Sequence, residues 1–326
     1  MIGFPGFLGN ETVKDALCAA YAAGRFPHAV IFQGEPGSGR HTLARLTAMA
    51  LACRNPASAP CGACPSCIRA KAGSHPDIRE VEGSGAAKAL TVEAVRAMTE
   101  DAGRMPEEAD RNFYIVYLGE STRQEAQNKL LKLLEEPPGS ALFFLLCRNA
   151  QNLLPTIRSR AQSFTLAPPD VNEAAAWLAE QEQIPPEQAL ELAKLCGGNL
   201  GRMQQELKDG DAGKSMDIAL NMCAAIFRRG GHAMLKASAR LPENRAQFRE
   251  VLARLEALFR DACALRCANG PVLSGAEEMA ARLSTLPLKR LLRLTELMRV
   301  YQEKLERNVN GSLLTAALCM ELKREG

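Results

Sequence analysis

Four cysteines, Cys53, Cys61, Cys64 and Cys67, follow one another in the pattern C-x7-C-x2-C-x2-C. Closely spaced thiolates are the donor set of tetrahedral zinc, and four of them close the coordination shell, so the ion they predict is structural rather than catalytic. Pro60, Gly62 and Pro65 favour the turns that let the sulfurs converge. His75 is an alternative donor, although a lone histidine beside Pro76 reads more simply as an ordinary turn residue. The chain carries 11 cysteines and opens without a secretion signal, which favours reduced thiols over a disulfide framework. The other cysteines, among them Cys18, Cys147 and Cys196, sit in apolar helix or strand patterns and read as core packing.

A glycine-rich loop supplies the second candidate. A working phosphate loop, G-x-x-x-x-G-K-[ST], cradles phosphates on backbone N–H groups, reaches them with its lysine and holds magnesium with its hydroxyl. Here the run is Gly34-Glu35-Pro36-Gly37-Ser38-Gly39-Arg40-His41-Thr42. Arg40 keeps the charge of lysine but not its compact geometry, His41 replaces the hydroxyl, and Thr42 stands one position too far along to serve. Hydrolysis also requires acidic residues after the next core strand, to hold magnesium and orient water. Those positions carry Tyr117 and Leu118, and Glu120 comes too late in the chain to share the geometry. The chain is therefore expected to lack ATPase activity of its own. Two readings of Gly34, Gly37, Gly39 and Arg40 stay open: weak, non-catalytic binding of ATP or ADP, or a tight strand-to-helix turn alone.

The elements around these residues follow from periodicity. Apolar residues recur at helical spacing from Thr12 to Arg25, and Ala29 to Phe32 is a short buried-strand pattern that runs into the glycine loop. Leu43 to Cys53 continues as an alanine-rich helix, so the opening unit predicts an α/β nucleotide-binding fold. Phe113 to Leu118 and Ala141 to Cys147 suit further central parallel strands, separated by the helical run NKLLKLLEE, which stops at Pro137 and Pro138. APPD at residues 167–170 makes a linker into helices. Beyond it, Ile218 to Arg228, Ala246 to Asn269, Leu286 to Arg307 and Leu313 to Lys323 show helical periodicity without a strand signal.

A chain of 326 residues, 47% hydrophobic, 24% charged and 5% aromatic, fits a soluble, helix-rich protein of two or three domains. A net charge of +3 is too small for a strongly basic nucleic-acid surface, and the few aromatics disfavour a stand-alone zinc-dependent nucleic-acid-binding protein. No stretch reads as a leader or a bilayer-spanning run, so a cytoplasmic protein with no membrane partner is expected.

Five segments then carry a resemblance by their order: HAVIFQGEPGSGR, the four-cysteine insertion, SHPDI, EAQNKLLKLLEEPP and LLPTIRSRAQSFTL. Over about the first 210 residues the chain resembles the bacterial clamp-loader family of DNA polymerase III, AAA+ proteins that include the delta-prime and gamma/tau subunits. The resemblance implies an α/β AAA+ domain with a RecA-like parallel sheet over residues 1–167, carrying the zinc module at 53–67. It implies a small helical lid at 168–210 and an all-helical collar at 211–326, and the final NVNGSLLTAALCMELK of this chain resembles the end of that collar. In such proteins a serine-arginine pair before a cysteine supplies an arginine finger to the nucleotide of a neighbouring subunit. Ser159 and Arg160 match that pair, Ala161 replaces the cysteine, and Arg158 is a rival for the role. GGNLGRM at 197–203 resembles the second sensor motif, which would bring Arg202 towards a nucleotide bound in the same chain. The implied partners are gamma/tau and delta subunits in a hetero-pentamer, with the sliding clamp and primed DNA met through the assembly. The damaged phosphate loop favours a non-hydrolysing subunit, and a gamma/tau-type ATPase is the alternative.

Overall fold

The most apolar stretches of the sequence become the middle of one sheet. In the computed structural model, which describes residues 2–83, 89–119, 122–138, 141–209, 212–228, 231–242, 244–268, 270, 272–306 and 311–325, the chain divides into two units. The first comprises Met1–Asp170 with Asn199–Gly201, and the second Val171–Gly198 with Arg202–Gly326.

In the first unit, α1 (Glu11–Ala22) leads to β1 (Ala29–Gln33), α2 (Arg40–Leu51), α3 (Pro65–Ala72), β2 (Ile78–Val81) and α4 (Val92–Ala102). Then come β3 (Phe113–Tyr117), α5 (Gln124–Glu135), β4 (Leu142–Cys147), α6 (Pro155–Arg158) and β5 (Gln162–Thr165). The strands form one parallel sheet in the order β2-β3-β4-β1-β5. Its three inner strands are buried on both faces, as parallel strands covered by crossover helices must be. Val30, Phe32, Ile115, Phe144 and Leu146 face Leu17, Leu43 and Ala48 of α1 and α2. Ile31, Tyr114, Val116, Phe143 and Leu145 face Val95, Met98, Leu130, Leu134 and Ile157 of α4, α5 and α6.

The three strands expected from the sequence are present, close to their expected bounds. Two more, β2 and β5, were not signalled, because IREV and QSFT are edge strands with half-exposed or exposed side chains and lack an apolar run. The first helix is shorter than its periodicity suggests and closes at Ala22, with Ala23 as its cap. The alanine-rich helix closes at Leu51, which leaves Cys53 outside it.

The second unit is helical among the described residues: α7 (Val171–Glu182), α8 (Pro186–Cys196), α9 (Leu200–Asp209, from Arg202 onwards), α10 (Ala212–Ile226) and α11 (His232–Ser238). It continues with α12 (Arg245–Ala268), α13 (Glu277–Leu283), α14 (Leu288–Glu306) and α15 (Gly311–Glu325). Leu252, Leu255 and Phe259 of α12, Leu294, Met298 and Tyr301 of α14, and Leu318 of α15 share its core. Among the described residues no helix is long and apolar enough to cross a membrane. Cys147, Cys196, Cys223 and Cys319 are buried as core packing requires, whereas Cys267 is exposed, a correction to the reading of all the remaining cysteines as core.

One buried charge anchors the sheet edge. Asp77, just before β2, is fully buried. Its carboxylate accepts N–H bonds from Glu107 at 2.7 Å, Glu108 at 2.8 Å and Ala109 at 2.7 Å. Burial by itself would raise this carboxyl, but the three donors outweigh it and hold it below its ordinary value of 3.8. A carboxyl depressed in the folded state stabilises fully above the unfolded value, and that contribution is lost as pH falls through the folded one. Asp77→Asn is expected to lower the unfolding free energy in urea by about 2 kcal/mol at neutral pH. The deficit relative to the parent protein is expected to shrink as the pH drops below 3.8.

Candidate functional site

The loop after β1 is built around absent side chains. A Cβ on Gly34 would lie 2.7 Å from the Leu166 carbonyl oxygen and 2.8 Å from Ser38 Oγ. Gly37 and Gly39 both have φ of 85°, a region that favours glycine. A Cβ on Gly39, the N-cap of α2, would also lie 2.7 Å from Phe7 Cε2. Two loop carbonyls are engaged within the same unit: Asn199 Nδ2 donates to Pro36 O at 3.0 Å, and the Gly201 N–H donates to Gly37 O at 3.2 Å.

Beyond the glycines, α2 opens with Arg40 and His41. Burial lowers the Arg40 guanidinium from its ordinary value, with Cys147 and Glu35 opposing the shift. Glu35 is paired with Arg148 at 3.0 Å. The His41 ring lies 5.6 Å from the Tyr117 ring, and its Nε2 lies 3.0 Å from Glu80 Oε2. Thus the position for the magnesium hydroxyl and the position for the first acidic residue do meet in space, but as imidazole and phenol. Burial first, then Glu80 and Glu82, push the Tyr117 phenol well above its ordinary value, so it remains neutral. Magnesium demands an octahedral shell of oxygen donors, and this corner does not fit a magnesium–nucleotide. Leu118 is buried, and Glu120 lies outside the described residues.

The four cysteines converge. Their sulfurs all lie within 4.8 Å of one another, a group able to hold a metal ion. Cys61 Sγ and Cys67 Sγ are 3.9 Å apart. A tetrahedron with Zn–S bonds of about 2.3 Å has edges of roughly 3.8 Å, so the cage has the right size. Local structure makes it: Cys64 is the N-cap of α3 with Pro65 in the first turn, and Cys64 Sγ accepts the Cys67 N–H at 3.4 Å. The Asn55 N–H donates to Cys53 Sγ at 3.4 Å and the Cys64 N–H to Cys61 Sγ at 3.3 Å. Burial raises the Cys64 thiol, but the N–H groups of Cys67 and Arg54 outweigh it and bring the thiol to about 6, a thiolate ready to ligate.

His75 is not a donor in this group; it opens a turn, as its place beside Pro76 suggests, with its carbonyl accepting the Ile78 N–H at 3.3 Å. It is buried, its Nε2 lies 3.0 Å from Ser66 Oγ, and its Nδ1 accepts the Asp77 N–H at 3.1 Å. Ser66 in turn donates to Ala52 O at 2.7 Å, so the histidine braces the module from behind.

Arg160 lies between α6 and β5 with its side chain 39% exposed. Its Nη1 donates to Thr156 O at 3.1 Å and to Ser159 Oγ at 3.2 Å, and its Nη2 pairs with Glu135 Oε1 at 2.8 Å. Arg158 Nη1 donates to Gln151 Oε1 at 2.7 Å. Arg202, in the second unit, has Nη2 4.0 Å from Glu250 Oε2. The buried Arg254, which the sequence did not single out, pairs with Glu250 at 2.9 Å and Glu206 at 3.2 Å and donates to Leu195 O. The i,i+4 spacing of Glu250 and Arg254 was the available signal. Glu80 and Glu135 were also missed, since nothing local links them to their partners.

A five-stranded parallel α/β core with a glycine loop after an inner strand is the architecture of a nucleotide-binding α/β domain, here with a cysteine module inserted behind the loop. Residues 9–170 match the family described as "DNA polymerase III, delta subunit". The DNA polymerase III subunit delta' of Escherichia coli is 34% identical over 188 residues, 57% of this chain and 56% of that protein. The subunit gamma/tau of Mycobacterium tuberculosis is 34% identical over 185 residues, 56% of this chain and 32% of that one. A DNA polymerase III gamma subunit-related protein of Thermotoga maritima, of solved structure, is 17% identical with a TM-score of 0.43, covering 97% of this chain and 98% of that chain. Residues 9–170 of this chain belong with the delta-prime subunits of DNA polymerase III. The chain spans 53% to 62% of the length of the delta-prime relatives it matches.

The tightness of the loop has a measurable consequence. Gly39→Ala is expected to cost about 1–3 kcal/mol in a denaturant melt, through the strained backbone and the collision with Phe7 together. Gly24→Ala, at φ 64° with nothing within 4 Å of the added carbon, is expected to lose about 1 kcal/mol from the backbone alone.

Proposed function

We propose that this chain is a non-hydrolysing clamp-loader subunit. It joins gamma/tau and delta subunits in a hetero-pentamer and, as part of that cytoplasmic assembly, helps place the sliding clamp on primed DNA. The observation that carries the reading is the contrast between two sites. The cleft after β1 presents His41 and Tyr117 where magnesium would be held, while Arg160 offers a half-exposed guanidinium. A chain with such a cleft contributes to ATP turnover through a cation given to a neighbour. Arg160, steadied by Ser159 and the Thr156 carbonyl, is the group that would stabilise charge on the phosphate transferred next door. In this reading residues 168–210 are the lid, with Arg202 a structural remnant of a sensor paired to Glu250, and residues 211–326 are the collar.

Cys53, Cys61, Cys64 and Cys67 fit a structural zinc ion, which would tie the stretch between α2 and α3 into one module. Polymerase activity is not part of the proposal.

Arg160→Ala in the reconstituted complex is expected to leave assembly intact and to lower DNA-stimulated ATPase by about tenfold or more. Unchanged turnover would refute the finger. Magnesium-dependent hydrolysis by the purified chain alone, abolished by changing Arg40, would replace the proposal with a gamma/tau-type motor. Elemental analysis of the purified chain is expected to find about one zinc per molecule, lost in Cys64→Ser together with thermal stability. A stable, metal-free parent protein would remove the zinc assignment.

A further inference from the structure

We infer that His41 is a resident occupant of the magnesium position, so that metal-bound nucleotide is shut out by side chains that are present and not simply by side chains that were lost. The inference deepens the non-hydrolysing reading and rests on it.

One position and two contacts support it. His41 is the second residue of α2, the place from which a hydroxyl would reach the metal. Its ring packs at 5.6 Å against Tyr117, the residue at the end of β3 where a carboxylate would complete the metal's shell. Its Nε2 stands 3.0 Å from Glu80 Oε2 on the neighbouring edge strand. The sequence shows two separate substitutions, and the fold makes them one packed pair.

Glu80 matters because it is a carboxylate standing in this corner, an oxygen donor that magnesium would otherwise use. It is already shared. Arg45 Nε lies 3.5 Å from Glu80 Oε1, and Arg45 Nη2 donates to the Ala70 and Lys71 carbonyls at the end of α3, at 3.0 Å and 3.2 Å. A metal ion entering here would have to displace the imidazole, separate Glu80 from two nitrogen-bearing side chains and accept a neutral phenol. Imidazole nitrogen and phenol are poor exchange for the carboxylate, water and phosphate oxygens that suit magnesium. The occupied corner also braces the molecule: it links α2, the edge strand β2 and the last turn of the cysteine module through Arg45.

The test titrates a fluorescent ATP analogue into the purified full chain, once with magnesium and once with EDTA. It compares the parent protein, His41→Ser and His41→Ser/Tyr117→Asp. Magnesium is expected to change the parent's affinity by less than about twofold, with no detectable binding in either buffer counting as no metal dependence. In the double variant magnesium is expected to tighten binding by about tenfold or more, with His41→Ser between the two. If circular dichroism shows the double variant unfolded, His41→Ser alone decides, with a magnesium-dependent gain of about threefold expected. Magnesium-enhanced binding by the parent, or a folded variant without metal dependence, overturns the inference. Neither result bears on the Arg160 assay, which reads turnover in a neighbouring subunit, so the two readings fail separately.

Discussion

The parallel pairing of β1, β3 and β4 is the constraint on which the rest of the first unit depends. Because the strands run the same way, their C-terminal ends emerge together: Gln33 lies opposite Cys147, and Tyr117 opposite Leu146. Everything with chemical interest in the cleft hangs from that edge. The glycine loop leaves β1, Tyr117 closes β3, and the N-terminus of α2 turns back over them. Burial of both faces by aliphatic and aromatic side chains makes this register costly to shift, since a one-residue slip would exchange the side chains packed on α1 and α2 with those packed on α4, α5 and α6. The geometry of the cleft is therefore a property of the core and not of the loop alone.

Polar side chains extend that rigidity outwards to the sheet edge and the cysteine module. Asp77 ties the loop at 107–109 to the start of β2, while His75, two residues earlier, contacts Ser66 inside the module. Arg45 and Glu80 make a second tie between α2, β2 and the end of α3. A buried carboxylate with three N–H donors and a buried histidine with partners on both ring nitrogens are satisfied groups, which specify one arrangement where a purely apolar contact would tolerate several. The module is thus joined to the same structure that shapes the phosphate loop.

The arginines divide by environment. Arg254 is almost wholly buried among Glu206, Glu250 and a backbone carbonyl, and such a group specifies packing in the second unit. Arg160 keeps its guanidinium at the surface, with one carboxylate and two neutral oxygens as partners. An exposed ion pair of that kind is worth about 0–1 kcal/mol, so exchanging Glu135 for a phosphate oxygen is not opposed by a large loss. Those surroundings, more than the residue type, separate a cation held at the surface from one committed to the fold.

The chemistry of individual positions is written in local patterns of residues. Four thiols at short spacing, glycines around a strand end, a missing lysine and hydroxyl, and a missing acidic pair were all legible because each is a local pattern. The inner strands were legible too, since full burial demands an uninterrupted apolar run. Which distant residues meet depends on the folded packing. The edge strands β2 and β5 carry too few buried side chains to leave a periodic trace, yet β2 delivers Glu80 to His41. SHPDI marks His75 as a turn residue, which it is, but nothing in that stretch records that Ser66 will face its ring. Glu135 precedes two prolines and reads as the end of a helix, and its ion pair with Arg160 exists because α5 and the turn before β5 are brought side by side. Pairings of this kind come from how helices cover a sheet, which depends on the whole core at once and leaves no signature in any short stretch of chain.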